Sequence, residues 1–354
     1  MKISKKIAVA AIPAVMALAS TNVDSKILLM SQEGWEVSFD GAANAFIMQN
    51  SGTNAPTTSG GSAVTFDGTA GIINAANTET SIVTGLLPNV WGMTLKAPTA
   101  NGLDMSARLG LYTHMNGGEN ALGNGEINIR ETSGTIAGSF GSVLVGRSLG
   151  IHQSNAILND MLLFGVGAGA SAGNNNTTLG RIGVGYLYTD FQPMVAWTLP
   201  ELGNGFGAKV GIFDPKDVAS ETAANSATDH SAPRVEAQIT WNGGLLQTGV
   251  GINLWVDGTY QHTGRTAAET QSRQNSAGVD REHDSVESAG VGFGTKLTYE
   301  GFSLVASGFY ASGLGMRGQH SVLPRSQAQD ANNGTVAGST GALDDDGKER
   351  KSYG

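Results

Sequence analysis

Large parts of the chain alternate between apolar and polar residues with a period of two. The clearest case is LDMSARLGLYTHM at residues 103–115, where Leu, Met and Ala at odd positions alternate with Asp, Ser, Arg and Tyr at even positions. Successive side chains of a β-strand point to opposite faces. The pattern therefore predicts strands that have one apolar face and one polar face.

The same reading predicts about eleven strands and the beginning of a twelfth, with an interruption near Pro88 and a bulge after Glu131. These strands are predicted at residues 35–47, 79–96, 103–115, 126–138, 143–147, 181–199, 206–213, 234–241, 246–256, 289–300, 302–313 and, incompletely, 351–354.

Short and long connections alternate along the chain. The short ones are predicted at residues 97–102, 139–141, 200–205, 242–245 and 300–301. Tight turns at one end and long loops at the other are typical of an outer-membrane barrel. We therefore predict an all-β fold, a transmembrane antiparallel β-barrel. A sixteen-stranded barrel would need about four more strands, so the chain is expected to be a fragment, truncated at its C-terminus.

The stretch at residues 142–190 contains two predicted strands and a long connection between them. Its ends, VLVGR and RIGVGYLY, are predicted to be neighbouring strands, and about thirty residues between them lack a sustained helical period. Loops of this length inside a compact domain are usually functional. We expect the insert, Gly150 to Thr178, to fold inward and narrow a pore.

The N-terminus has the pattern of a signal peptide. Lys2, Lys5 and Lys6 precede an apolar run at residues 7–18, and Ala17-Leu18-Ala19 fits a cleavage site. No later segment approaches the twenty apolar residues of a membrane-spanning helix. Residues 1–19 are thus predicted to direct export, and residues 20–354 to form one barrel domain.

Composition excludes several other classes. The chain has no cysteine, 51 glycines and a net charge of −9, which argue against disulfide support and against a nucleic-acid partner. The six histidines lack metal-ligand spacing, and the glycines at 165–169 precede Asn and Thr residues rather than a helix. We therefore expect no metal, no cofactor and no enzymatic activity.

At the central stretch the chain resembles a known family. The run GSVLVGRSLGIHQSNAILNDMLLFGVG followed by LGRIGVGY, preceded by MSARLGL and INIR, is similar to the general trimeric porins of Gram-negative outer membranes. The resemblance implies a sixteen-stranded barrel, a homotrimer among outer-membrane lipid and lipopolysaccharide, and passive diffusion of small polar solutes and ions. It also implies a pore constriction at Arg108, Arg130, Arg181 and Asp160. The chain departs from the family in lacking the usual glutamate after a proline in this loop.

Alternation independently assigns a set of basic residues to the polar face of the strands. Beyond the three arginines already named, these are Lys209, Arg234 and Lys296. A charge facing lipid at the bilayer midplane costs roughly 2–4 kcal/mol, so these side chains are predicted to face water inside the barrel. Because the inserted loop carries few acids, we predict a weak anion preference. The alternative is that they are solvated wall residues without a role in permeation.

Three functions remain open from the sequence. The leading one is a porin for general diffusion through the outer membrane. The second is a substrate-specific porin, for which Tyr112, Phe213 and Trp255 lie on the predicted inward face. The third, from a different class, is an exported β-rich adhesin or structural surface protein, which would form no conductance.

Overall fold

The computed structural model describes residues 27–50, 79–113, 127–165, 182–183, 185–218, 227–245, 248–266, 285–315, 349 and 351–354. The predicted signal peptide at residues 1–19 and Arg181 lie outside the described residues. Within them, the fold is almost entirely antiparallel β-sheet, as predicted.

Thirteen strands form one sheet, in the order β1-β2-β5-β6-β7-β8-β9-β10-β11-β12-β13-β14-β15, and β3 and β4 form a separate hairpin. The strands are β1 (Ile27–Gln32), β2 (Trp35–Ala42), β3 (Phe46–Asn50), β4 (Glu79–Val83), β5 (Asn89–Lys96), β6 (Asp104–Thr113), β7 (Ile127–Gly138), β8 (Gly141–Leu149), β9 (Phe191–Thr198), β10 (Phe206–Phe213), β11 (Arg234–Gly244), β12 (Gly251–Gly264), β13 (Ser285–Tyr299), β14 (Phe302–Ser312) and β15 (Lys351–Tyr353).

The main sheet has one strand more than the sequence pattern predicts. The additional strand, β1, contains the consecutive apolar residues Ile27, Leu28, Leu29 and Met30, so alternation could not reveal it. It pairs with β2 through an irregular register between Leu28 and Met30. In the described part of the chain, β1 and β15 are the two edges of the sheet.

The connections confirm the predicted asymmetry between the two ends of the sheet. Short connections join β1 to β2, β5 to β6, β7 to β8, β9 to β10, β11 to β12 and β13 to β14. Because consecutive strands are antiparallel, all six lie at one end, which we call the short-turn end. The turn between β11 and β12 comes later than predicted, since Gly243 and Gly244 still pair with β12.

The sheet is polar on its inner face and apolar on its outer face. In β11, Arg234 and Glu236 are 0% exposed, whereas Val235 is 40% and Ile239 is 59% exposed. A soluble protein buries its apolar residues and solvates its charges. The reversed distribution confirms the inward and outward phases predicted for this strand.

The predicted bulge lies in β7. Leu111 of β6 pairs with Ile129 and Gly110 pairs with Glu131, so Arg130 is the extra residue. A bulge changes the alternation by one position. Consequently Arg130 and Glu131, although adjacent in sequence, both lie on the inner face.

The segment between β8 and β9 crosses the inner face of the sheet. It begins at Gly150, contains the short helix α1 (Ser154–Leu158) and returns to the sheet at Phe191. We call residues 150–190 the inserted segment, of which residues 166–181 and Val184 are not described.

The prediction that RIGVGYLY opens a strand was wrong. Its described residues, 182–183 and 185–188, form isolated bridges only, and β9 begins at Phe191. Ile182, Tyr186 and Leu187 are instead buried at the inner face. Their apolar pattern reflects packing within the inserted segment and against the sheet. Short apolar runs do not distinguish such packing from pairing in a sheet.

No helix among the described residues is both long enough and apolar enough to cross a membrane.

Candidate functional site

Two carboxylates of the sheet hold the first turn of the inserted segment. Glu236 Oε2 on β11 accepts hydrogen bonds from the backbone N–H groups of Ile151, at 2.7 Å, and His152, at 2.8 Å. On the next strand, Asp257 Oδ1 accepts the N–H of Gln153 at 2.9 Å and lies 2.6 Å from His152 Nδ1. Hydrogen bonds that involve a charged acceptor are stronger than neutral ones. The start of the insert is therefore anchored to the wall.

A glycine stripe on β13 makes room for this anchor. Gly290, Gly292 and Gly294 lie on the inner face, between the outward residues Val291 and Phe293. A Cβ at Gly292 would lie 2.5 Å from Gln153 Nε2 and 2.7 Å from Asp257 Oδ1. These contacts are shorter than any ordinary packing distance. With a Cβ at this position, the Gln153 and Asp257 side chains would have to shift, so the glycine allows the anchor to keep its geometry.

The part of the inserted segment that follows α1 contacts a distant part of the same inner face. The N–H of Leu86 donates to Gly165 O at 3.0 Å, and the N–H of Leu87 donates to Leu163 O at 2.9 Å. Residues 86 and 87 directly precede β5, whereas the anchor is on β11 and β12. One short segment thus joins distant strands across the concave face, which shows that the sheet curls around it.

Apolar packing supports the same arrangement. Ala156 and Ile157 of α1 belong to a buried cluster with Leu86, Tyr186 and Trp255. Tyr188 packs against this cluster, and its burial raises the pKa of the phenol to about 12. The inserted segment consequently has its own small core on the inner face of the sheet. This confirms the prediction that the insert folds inward.

Arg108 lies in a ladder of charges on the inner face. Its guanidinium makes two hydrogen bonds to Asp40, at 2.8 and 3.0 Å, and one to Glu131 at 3.1 Å. Gly92 and Gly110 lie beside these groups, where a Cβ would collide with Asp40, Arg108 or Glu131. The charge of Arg108 is therefore compensated by acids of the wall.

Arg130 has a different environment. Its guanidinium carbon lies 4.9 Å from the centre of the Tyr112 ring and 5.7 Å from that of Phe191. Tyr112 also donates a hydrogen bond to Glu131 at 3.3 Å. This bond links the charged residues around Arg108 to the pair of aromatic rings beside Arg130. Arg108 and Arg130 are thus connected through Glu131 and Tyr112. In the described chain, no carboxylate forms an ion pair with Arg130.

Arg234 is fully buried beneath the long-loop end of the sheet. Its Nε lies 3.3 Å from Glu236 Oε1, a terminal nitrogen donates to Gln192, and the guanidinium lies over Phe213. Nearby, Lys216 Nζ is 2.6 Å from Asp190 Oδ2. Burial lowers the pKa of Lys216, against the opposing effect of Asp190. These two cations support the base of the inserted segment.

Lys209 and Lys296 lie on the inner face near the short-turn end. They pair in register with Gln238 and with Asn253 and Val305, respectively. Neither has a carboxylate within ion-pair distance among the residues that the structure describes. Their positive charges are therefore exposed to the interior.

Asp160 lies at the end of the turn that follows α1 and is largely buried. It accepts hydrogen bonds from the Tyr186 hydroxyl at 2.5 Å and from the Leu162 N–H at 2.9 Å. These bonds close the inserted segment on itself. The position of Arg181 lies outside the described residues, so the predicted set is represented here by Arg108, Arg130 and Asp160.

The sequence reading missed the acidic half of the site. Asp40, Glu131, Glu236 and Asp257 all lie on the inner face and all pair with groups of the wall or of the insert. Their phase could have been read from alternation, since Asp40 and Glu236 occupy polar positions of their strands. Their partners could not, because these come from other strands or from the insert.

Comparison with family models and with curated proteins gives no match. Among solved structures, the chain is similar to the outer membrane channel DcaP of Acinetobacter baumannii, with 14% identity, a TM-score of 0.48 and coverage of 83% of this chain and 72% of that one. It is also similar to an anion-selective porin from Comamonas acidovorans (16% identity, TM-score 0.40, 78% and 73% covered) and to Salmonella typhi OmpF in complex with daunomycin (15%, 0.42, 81% and 68%).

Proposed function

We propose that the chain forms a porin, a water-filled channel through which small hydrophilic solutes and ions diffuse across an outer membrane. The observation that carries the proposal is the reversed side-chain distribution: apolar residues cover the outer face of a curled sheet, and charges and amides line the inner face. Such a surface is stable where hydrocarbon surrounds the sheet and water fills it. The inserted segment would set the size of the channel.

The balance of charges on the inner face supports a weak anion preference. Arg108 forms ion pairs with both Asp40 and Glu131, which leaves one negative charge there, and Arg234 pairs with Glu236. Arg130, Lys209 and Lys296 form no ion pair with a carboxylate among the residues that the structure describes. These three cations outnumber the single negative charge that two acids leave around Arg108, and Asp160 and Asp257 are buried and hydrogen-bonded. The excess charge that a permeating ion would meet is thus positive, which favours anions.

The constriction is proposed to lie between the inserted segment and the wall that carries Arg108 and Arg130, with Arg181 and Asp160 as further members. Export by a cleavable signal peptide, an outer-membrane location and a homotrimer belong to the same proposal. The exposed apolar outer face suits contact with lipid, with lipopolysaccharide and with other copies of the chain.

Planar-bilayer recording tests the channel directly. The purified protein, added to a lipid bilayer in potassium chloride, should produce discrete steps of stable conductance, and liposomes that contain it should swell in small sugars. An adhesin or other structural surface protein would do neither. A protein that associates with the bilayer without any conductance step would overturn the proposal.

Reversal potentials in a potassium chloride gradient test the selectivity. Arg130→Gln should reduce the preference for chloride, since this charge is uncompensated. Asp40→Asn should increase it, because it releases the charge of Arg108 from one of its acids. Glu36→Gln, which removes an exposed acid at the short-turn end, is the matched control and should have the smallest effect. Reversal potentials that are identical in all four proteins would reject the charge assignment.

A further inference from the structure

A polar cavity lies on the inner face at the short-turn end, below α1. Its volume is about 280 Å³, and it opens into the interior of the sheet. Its walls come from β10, β11 and β12, and Asn155 of α1 forms part of its roof. The volume is near the lower end of the range for small-molecule sites, roughly 300 Å³.

The lining combines neutral hydrogen-bonding groups with one cation. The neutral polar side chains are Asn155, Thr198, Gln238, Thr240, Asn242 and Asn253, and the cation is Lys209. Among the described residues that line the cavity, none is acidic. Amides and hydroxyls both donate and accept hydrogen bonds, so they suit hydroxylated solutes. An unopposed ammonium group favours a solute that also carries a negative charge.

Part of this lining is held in place before any solute enters. Gln238 Nε2 donates to Ser154 Oγ at 3.2 Å, which ties the cavity wall to the start of α1. Asn253 Nδ2 donates to Asn242 Oδ1 at 2.7 Å, which fixes two amides against each other. Fixed polar groups lose less conformational entropy on binding than free ones do.

Resting on the proposed channel function, we propose that this cavity is a binding site for small hydroxylated organic anions, compounds with several hydroxyl groups and one carboxylate or phosphate. Lys209 would receive the anionic group, and the surrounding amides and threonines the hydroxyls. Solutes of this class would pause there on their way through the channel, whereas neutral polyols and simple anions would not.

Gluconate is the probe, with sorbitol as the neutral polyol and acetate as the anion without hydroxyls. In single-channel recordings, gluconate should cause saturable interruptions of the current at concentrations at which sorbitol and acetate cause none. Lys209→Gln should weaken the apparent affinity about fivefold, as expected when one charged contact is lost in a water-filled space. Lys209→Arg should retain most of it, and Thr240→Val should weaken it by removing a hydroxyl alone.

Lys296→Gln is the matched control. It removes another uncompensated lysine near the short-turn end that does not line the cavity, so gluconate affinity should persist in that variant. Equal block by all three solutes, or an affinity unaffected by both Lys209→Gln and Thr240→Val, would overturn the site. Titration calorimetry of the detergent-solubilised protein with gluconate measures the same site without conductance. A protein that binds gluconate but forms no conductance would therefore refute the channel function. A protein that conducts but does not bind gluconate would refute the proposed binding site.

Discussion

Replacing Asp257 with alanine removes the acceptor that holds the start of the inserted segment to β12. Its Oδ1 atom accepts the Gln153 N–H at 2.9 Å and lies 2.6 Å from His152 Nδ1. Hydrogen bonds to charged groups contribute about 1.5–3 kcal/mol each. Losing both should lower the free energy of local opening by about 3 kcal/mol, which corresponds to about a hundredfold change in an equilibrium constant. Asp257 is preferred to Glu236 for this test because Glu236 also compensates the buried Arg234.

Amide hydrogen exchange in detergent micelles measures this opening. The Gln153 amide should exchange about a hundredfold faster in Asp257→Ala, while the paired amides of β8 keep their protection, since the opening is local. Asp257→Asn should give an intermediate rate, because its amide oxygen accepts a hydrogen bond but carries no charge.

Asp104→Ala is the control, since it removes an exposed carboxylate whose hydrogen bond is to Thr99, in the adjacent turn. It should leave exchange at Gln153 unchanged. If the Gln153 amide keeps its protection in Asp257→Ala, the wall carboxylate does not anchor the insert. If protection is lost uniformly over the sheet, Asp257 supports the whole fold rather than this contact.

Three further predictions test the faces of the sheet, its packing and its pH response. Trp255 is 2% exposed and Trp197 is 42% exposed, so lipids with brominated acyl chains should quench the fluorescence of Trp197 but not that of Trp255. The variants Trp197→Phe and Trp255→Phe assign each contribution to its residue. Gly292→Ala should lower the free energy of unfolding by about 1–3 kcal/mol through overpacking. Gly134→Ala should lower it less, because the new Cβ would meet only an oxygen at 3.9 Å. Equal losses in the two variants would show that the glycine stripe does not make room for the anchor. Because burial lowers the pKa of Lys216, the unfolded state binds more protons below pH 10.5, so stability should rise with pH more steeply in the wild type than in Lys216→Gln; parallel curves would contradict this.

Alternation was sufficient to predict most of the strands because it reflects a local rule. A strand with hydrocarbon on one side and water on the other must change polarity at every residue, whichever strands it pairs with. A bulge was also predicted from the loss of phase after Glu131, and the structure has it one residue earlier, at Arg130. Strand β1 was not, because its apolar run carries no period.

The inserted segment shows where local pattern ends and tertiary structure decides. Its length and its position between two predicted strands indicated an insert that folds inward, and the resemblance to porins implied a constriction there. The extent of the insert depended on packing. RIGVGYLY alternates like a strand, but its residues Ile182 and Tyr186 pack in the cluster that contains α1, and pairing in the sheet resumes only at Phe191.

The sequence by itself determined which side of the alternating strands is polar, and hence that the positive side chains share one face of the sheet. Only the tertiary structure decided which of them remain uncompensated. Arg108 meets Asp40 across 68 positions of sequence, and Glu236 meets Ile151 across 85, because the curled sheet and the insert bring distant strands together. The physical reason is that solvent preference acts on each residue alone, whereas ion pairing requires two residues whose proximity depends on the whole fold.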